Sequence, residues 1–380
     1  MKAVSAIDYR ELARRRLPGF LFHYIDGGAF AELTMRRNMQ DLEQVTLRQR
    51  VLKDVSGVEL ATEMFGQKFA MPVGLGPVGF AGMCARRGEV QAARAAEAAG
   101  IPFCLSTLAV CSLDEVASEL RQPFWFQLHM LRDRAFMRDM IAKARALGCT
   151  ALLCTVDVPV GSARYRDVRT GLAGSGPQSG IRRLWQAMRR PVWSWDVGYR
   201  GRPHKPGNVV PILPRESRLE DFLAWVGANL EPGLDWKDLD FIRNEWPGPL
   251  IIKGVLDVED AREAVKLGAD GLVVSNHGGR QLDGAMSTAQ ALPPVADAVG
   301  ADLDLLVDGG VRSGLDVVRM LALGAKGVLL GRSWAYALGA AGEQGVKQLL
   351  RIIEAEMRAT MALAGVNRVE AIDEQVLARR

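Results

Sequence analysis

Eight short apolar runs, helix-sized amphipathic stretches between most of them, and polar residues at the end of nearly every run predict an α/β fold. The arrangement is a (β/α)8 TIM barrel with an N-terminal helical segment and a long insertion after strand four. The runs cover residues 72–76, 102–105, 124–128, 151–156, 250–253, 271–275, 304–308 and 327–331. Their hydrophobicity is continuous rather than alternating, which marks strands covered on both faces and hence parallel ones. Helices are predicted over 87–99, 132–147, 258–267, 288–299 and 314–323. There apolar residues recur at three- and four-residue spacing and form one buried stripe. A doubly wound open sheet is the competing arrangement.

The chain reads as a single domain over 1–380. Residues 1–70 form the N-terminal helical segment, 71–340 the barrel, and 341–380 a C-terminal helical segment. The connection 165–235 is far longer than ordinary αβ loops, and a structureless loop of that length is expected to be functional or disordered.

Composition narrows the function classes. With 380 residues, 48% hydrophobic content and 40 glycines, the chain suits a large α/β domain. No apolar stretch of about 18 residues is free of charge, so no spanning helix is expected. Residues 1–16 mix Asp8, Glu11 and several arginines and do not read as a secretory signal. Cys84, Cys104, Cys111, Cys149 and Cys154 form no Cys-x-x-Cys pair, and most lie in apolar runs. They read as reduced core residues of a cytoplasmic protein. A net charge of +4 is too small to argue nucleic-acid binding, but 172–215 holds eight Lys/Arg (Arg182, Arg183, Arg189, Arg190, Arg200, Arg202, Lys205, Arg215) against the single Asp196.

The strand ends carry Pro77, Val78 and Gly79, then Ser106, Gln127, Thr155 with Asp157, Lys253, Ser275 with His277, Asp308, and Gly331 with Arg332. In this fold that rim is where chemistry takes place. Behind the sixth run stands Ser275-Asn276-His277-Gly278-Gly279-Arg280-Gln281-Leu282-Asp283. Histidine moves a proton near neutral pH, glycine lets a flat ligand approach the backbone, and arginine holds a carboxylate bidentately. Only four histidines occur in the chain, and His277 is the leading candidate for catalysis.

Asp308-Gly309-Gly310-Val311-Arg312 follows strand seven and Leu330-Gly331-Arg332-Ser333 follows strand eight. These loops form the recurrent phosphate site of the fold: Gly309, Gly310 and Gly331 offer backbone N–H donors, and Arg312 and Arg332 offer charge. Lys253 ends strand five in the same polar ring. A cation there would stabilise an anionic reduced flavin, with a structural salt bridge as the plainer reading.

Taken together these residues resemble the FMN-dependent α-hydroxy acid oxidase/dehydrogenase family over nearly the whole chain. The most specific match is 275–283. Phe22-His23-Tyr24-Ile25-Asp26-Gly27-Gly28, Pro77-Val78-Gly79, Trp125-Phe126-Gln127-Leu128, Thr155-Val156-Asp157, Ile252-Lys253-Gly254 and Asp308-Gly309-Gly310-Val311-Arg312 follow in the family's order. Within the family the chain looks most like the bacterial quinone-linked L-lactate dehydrogenases, through 20–28, 47–52 and 81–89. The resemblance implies FMN as cofactor, no metal, and His277 as active-site base oriented by Asp157. It implies Arg280 and Arg164 as a clamp on the substrate carboxylate, with Tyr24 adding a hydroxyl donor. Pro77, Val78, Gly79, Ser106, Gln127, Thr155 and Lys253 would hold the flavin ring, with Ser275 reaching the ring or the ribityl chain. A homotetramer is implied as well.

At one position the chain departs from the family. A tyrosine usually follows Phe-Gln-Leu and faces the substrate; here it is His129. That is a working donor, a sign of altered substrate preference, or an impairment. Leu108 stands where glycolate oxidases typically carry tryptophan, which leaves room for a methyl or longer side chain and favours lactate. The expected reaction is oxidation of an L-2-hydroxy acid, L-lactate to pyruvate, with electrons passed to quinone or another acceptor of the respiratory chain. An oxidase acting on a larger L-2-hydroxy acid with O₂ and a non-redox phosphate-binding barrel isomerase are the alternatives. Gly79, where oxidases often carry alanine, leans toward a dehydrogenase. Arginines and tryptophans mixed over 180–205 suit the surface of an anionic bilayer, hence a possible peripheral position on the inner face of the cell membrane. The other reading of that stretch is a flap whose tryptophans pack on the barrel.

Overall fold

The computed structural model describes residues 2–173, 176–202, 204–212 and 225–378. Eight strands form the barrel: Val73–Leu75, Cys104–Ser106, Trp125–His129, Ala151–Thr155, Leu250–Val255, Gly271–Val274, Asp304–Val307 and Gly327–Leu330. Every neighbouring pair in the eight-stranded sheet is parallel. A parallel bridge between Leu75 and Phe103, with the Leu75 N–H on the Pro102 carbonyl at 2.9 Å, joins the first strand to the second and closes the ring. The competing open sheet is thereby excluded.

The helices begin where the sequence offers side-chain oxygens that accept hydrogen bonds. Asp133 accepts from Phe136 N, Ser287 from Gln290 N and Ser313 from Asp316 N, and Ser112 with Glu115 forms a reciprocal capping box. Each such cap satisfies an N–H that the first turn leaves unpaired. The helix after strand eight starts at Arg332, not in the C-terminal segment, and runs to Ala364 through a break at Ala341 and Gly342.

Two regions differ from expectation. Residues 62–69 lie in the segment predicted as helical, but Thr62–Met64 and Gln67–Phe69 form an antiparallel hairpin. The apolar Met64, Phe65 and Phe69 pack on Trp125, Leu153, Ile251 and Leu329 inside the barrel. The hairpin therefore plugs one end of the ring. The insertion is also not a structureless loop. It contains helices Tyr165–Thr170 and Pro177–Met188, a short turn Pro191–Trp193 and a wide helical turn Ser194–Tyr199. Arg215 and the rest of 213–224, like 174–175, lie outside the described residues. All five cysteines are buried and free, as the core reading requires.

Candidate active site

A cavity of about 450 Å³ opens at the C-terminal ends of the strands. Strand ends and the loops behind them supply its walls, so residues far apart in sequence converge there. The strand-six loop carries a run of left-handed residues. His277, Gly278 and Gly279 take positive φ in succession, at 57°, 65° and 73°. Left-handed geometry is costly for histidine, and such strain is held only where the surroundings over-determine it. Here Asn276 and Asn38 exchange two side-chain hydrogen bonds of 2.8 and 2.7 Å, and Gly279 N–H donates to Asn276 Oδ1 at 3.0 Å. A Cβ on Gly279 would lie 2.4 Å from Met35 N, so only glycine allows this loop to press on the N-terminal helix.

The strained turn brings His277 Nδ1 to 3.0 Å from Asp157 Oδ1. With Nδ1 engaged, Nε2 is the ring nitrogen left for the cavity. Burial pushes His277 below its usual range, against the opposing pull of Asp157. Burial alone would raise Asp157, but His277 and Lys253 outweigh it and hold the carboxyl below its usual range. The pair is a neutral base backed by a carboxylate.

Gly254 makes the pair possible, a role the sequence reading missed. The register between strands five and six shifts from Lys253 to Val255, and Gly254 has φ of 111°. A Cβ there would sit 2.5 Å from Asp157 Cβ and Cγ. A glycine just after a strand-end lysine signals such a bulge, though not what it makes room for.

Tyr24 and the arginines line the same cavity. Arg280 Nη1 donates to the carbonyls of Tyr24 and Gly27 at 2.6 and 2.9 Å, and its guanidinium lies 4.9 Å over the Tyr24 ring. Its remaining N–H groups have no partner among the described residues. Arg164, the N-cap of helix Tyr165–Thr170, lines the cavity, and its side chain likewise has none. Burial, then the charge of Arg280, lowers Arg164 to about 10. Guanidinium N–H groups left without partners on two arginines that repel one another call for an anion. Burial raises the Tyr24 hydroxyl, so it remains a donor.

The expected flavin residues divide into two groups. Pro77, Val78, Gly79, Ser106, Gln127, Thr155, Lys253, Asp308, Gly309, Gly310, Arg312, Gly331 and Arg332 line the cavity. Ser275 does not. It is fully buried, and its hydroxyl donates to Asp308 at 2.7 Å while accepting from Lys253 Nζ at 2.8 Å and from His277 N–H at 3.0 Å. Lys253 also pairs with Asp308 at 3.0 Å. Burial opposes its charge, but Asp308 and Asp157 outweigh that effect and hold the ammonium above its usual range. The salt bridge and the cavity-facing cation are therefore one arrangement.

Arg332 lines the cavity, and its Nε, Nη1 and Nη2 donate to the carbonyls of Ile25, Gly278 and Gly27 at 3.0, 2.8 and 2.7 Å. It ties the histidine loop to the N-terminal segment, and burial with Arg280 and Arg312 nearby lowers it to about 9. Gly331 caps the long helix Arg332–Ala364, so a helix N-terminus does point into the cavity. Gly309 and Gly310 have φ of 98° and 84°, conformations that expose N–H groups.

These residues fit FMN. Gln127 Nε2 is buried without a partner at the cavity wall while its Oε1 takes a hydrogen bond from Ser106 at 2.9 Å. An orphaned amide donor beside a buried ammonium suits a polar ring edge, and the glycine loops suit a phosphate. His129 also lines the cavity, only 8% exposed, with Nδ1 buried and unpartnered. Burial, then the charge of His277, lowers it to about 3. It is a neutral imidazole whose accessible nitrogen is Nε2.

A family model described as FMN-dependent dehydrogenase matches residues 13–379. An L-lactate dehydrogenase of Caulobacter sp. (strain K31) is 62% identical, covering 99% of this chain and 98% of the relative. One from Xanthomonas euvesicatoria pv. vesicatoria (strain 85-10) is 57% identical over 99% and 96%. Among solved structures, that of the monotopic membrane protein (S)-mandelate dehydrogenase has a TM-score of 0.93 at 34% identity, covering all of both chains. Mandelate oxidase with (S)-2-phenylpropionate has a TM-score of 0.82 at 36% identity, over 100% of this chain and 99% of that one. A matched length that takes in both the histidine loop and the glycine cradle leaves one assignment: the chain belongs to the FMN-dependent dehydrogenase family.

Proposed function

We propose that the His277–Asp157 pair, sharing a site with the unpaired guanidinium of Arg164 and the remaining N–H groups of Arg280, is the machinery by which this chain oxidises L-lactate to pyruvate. The chain is an FMN-dependent dehydrogenase, and L-lactate is the substrate its relatives at 57–62% identity share. The observation that carries the reading is the 3.0 Å His277–Asp157 contact at the wall of a cavity also lined by the unpaired Arg164 and the partly engaged Arg280.

FMN, when bound, accepts the two electrons of the oxidation. The protein does the rest. Arg164 and Arg280 fix the carboxylate and thereby the face of Cα presented. Tyr24, and His129 through Nε2, donate hydrogen bonds to the substrate's oxygens. His277 Nε2 takes the proton, and Asp157 stabilises the imidazolium that results. Lys253, with Asp308 and Ser275 holding it, would supply positive charge to the reduced cofactor. Gly309, Gly310, Gly331 and Arg312 would hold its phosphate, while Arg332 ties the histidine loop to the N-terminal segment.

Quinone as electron acceptor and assembly as a homotetramer belong to the same reading. A second reading, a larger L-2-hydroxy acid, is favoured by the apolar mouth formed by Leu172, Val226 and Leu230. Anaerobic mixing with a panel of L-2-hydroxy acids decides between them. L-lactate should bleach the flavin fastest, and a short-chain quinone should restore its absorbance faster than air. Faster bleaching by L-mandelate would favour the second reading, and no bleaching by any of them would overturn both.

The insertion supports docking on an anionic lipid surface. Ile181, Leu184, Trp185 and Met188 share one exposed face of helix Pro177–Met188, and no residue of that helix is buried. Val192, Trp195 and Tyr199 continue the exposed apolar surface, and Arg189 lies 3.7 Å over the Trp185 ring. The tryptophans divide between the two expectations. Trp193 is buried, donating to the Met83 carbonyl at 2.8 Å, whereas Trp185 and Trp195 face solvent. Among the described residues no helix is long and apolar enough to cross a membrane, so attachment would be peripheral. The protein should co-sediment with anionic vesicles at low salt and be released at high salt. Replacing Leu184 and Trp185 with serine should abolish binding with flavin retained. Absence of binding by the unaltered protein at low salt would remove the membrane reading.

A further inference from the structure

Asp167 is a buried carboxylate that the mechanism above does not use. It lies in the first turn of helix Tyr165–Thr170, three residues after Arg164, and its backbone N–H donates to the Arg164 carbonyl at 3.1 Å. The side chain is 7% exposed and lines the cavity that holds Tyr24, Arg164 and Arg280. Its carboxylate accepts no hydrogen bond from any described residue. A buried carboxylate without donors is expensive, and native proteins keep one where nearby charge compensates it or where it changes state in use.

We propose that Asp167 is the resident anion of the substrate-carboxylate site, balancing Arg164 and Arg280 while the site is empty and taking up a proton when a substrate carboxylate enters. This rests on the clamp reading of the two arginines. The charge balance is the argument. Two guanidinium groups and one carboxylate leave a single positive charge for a monocarboxylate. Once the ligand's anion is seated between the arginines, two carboxylates face the same cations, and the protein's own becomes the one that protonates.

The groups facing Asp167 come from three elements. Arg164 is on its own helix, Arg280 on the strand-six loop, and Tyr24 and His23 on helix Gly19–Asp26. Burial holds the Asp167 carboxyl above the usual range even though Arg280, Arg164 and His23 pull it down. An arriving anion opposes those cations and raises it further. By linkage, affinity for the anion is then highest at low pH and weakens as pH rises, by at most about tenfold per unit for one linked proton. Asp167 acts through the arginines and is a positioning residue, so its signature is a proton count.

The test uses FMN-loaded protein with pyruvate as a non-reducing ligand, followed by perturbation of flavin absorbance and by calorimetry in two buffers of different ionisation enthalpy. His277 is the competing proton acceptor, because it too faces the arriving anion. The expected result is proton uptake on pyruvate binding at pH values above the ordinary carboxylate range, retained in His277→Gln and lost in Asp167→Asn. In Asp167→Asn the dissociation constant should also become nearly flat with pH and about fivefold tighter at the alkaline end. No uptake by the unaltered protein, uptake lost in His277→Gln, or uptake persisting in Asp167→Asn would overturn the proposal. The first two outcomes decide even where Asp167→Asn does not fold. Failure of the clamp reading is separate: it would appear as unchanged pyruvate affinity in Arg280→Met.

Discussion

His277→Gln should lower kcat/KM for L-lactate by about 10³- to 10⁴-fold, the upper part of what a positioned base contributes, while flavin remains bound. Glutamine keeps a polar side chain of similar reach but cannot accept the proton. The left-handed backbone at 277 is held by the Asn38–Asn276 pair, so the loop has reason to persist without the ring. Asp157→Asn should cost less, about 10²-fold or more, because the imidazole remains but its charged form loses its partner. The pH dependence separates the two roles. The depressed pKa of His277 means that it is neutral, and competent as a base, down to below the ordinary imidazole range, and activity should fall only as pH drops through that depressed value. Asp157 pulls this value up, so Asp157→Asn should move the acid limb of kcat/KM to still lower pH while lowering the plateau. An acid limb that moves to higher pH in Asp157→Asn, or a His277→Gln enzyme within tenfold of the unaltered one, would remove His277 as base.

The elements that could be read from the sequence are those whose signal is local. A buried parallel strand is a continuous apolar run, and the polar residue ending it lies at the active end by the geometry of the fold, so Ser106, Gln127, Thr155 and Lys253 fall at the cavity end of their strands. What escaped depends on contacts between distant segments. Thr62–Met64 and Gln67–Phe69 are three-residue strands with no periodicity of their own, and they are a hairpin because Met64 and Phe65 fill the barrel's end. Arg332 reads as a phosphate ligand from its loop, yet three carbonyls from two other segments take its N–H groups. Ser275 stands two residues before the histidine, but it is fully buried behind the cavity wall, where it joins Lys253 to Asp308. The insertion's arginines and tryptophans gave its chemistry, while only the fold could separate the buried Trp193 from the exposed Trp185 and Trp195. His129 was visible as a departure, but that burial keeps it neutral is a property of its surroundings.

The arginine clamp yields the second large effect, and the two arms should fail differently. Arg164 donates to no described residue, so Arg164→Met removes little that the empty protein uses. Losing charge-assisted hydrogen bonds worth about 1.5–3 kcal/mol should appear as KM raised roughly 10- to 100-fold with kcat and thermal stability little changed. Arg280 also holds the carbonyls of Tyr24 and Gly27 and covers the Tyr24 ring. Arg280→Met therefore strips the substrate of one fork, frees two carbonyls and loosens the hydroxyl donor beside them. Its kcat/KM should fall by about 10³-fold, within the 2–5 kcal/mol expected when one partner of a buried charged contact is cut, and its Tm should drop. Lysine distinguishes charge from geometry. Arg164→Lys should recover part of the lost affinity, since an ammonium can still reach a carboxylate. Arg280→Lys should recover little, because three donors on a flexible stem cannot serve two carbonyls and a ligand at fixed angles. Steady-state kinetics and thermal melts on the four variants test this together. Equal losses at both positions, or full rescue of Arg280 by lysine, would mean that Arg280 supplies only charge and that the loop is held in place without it.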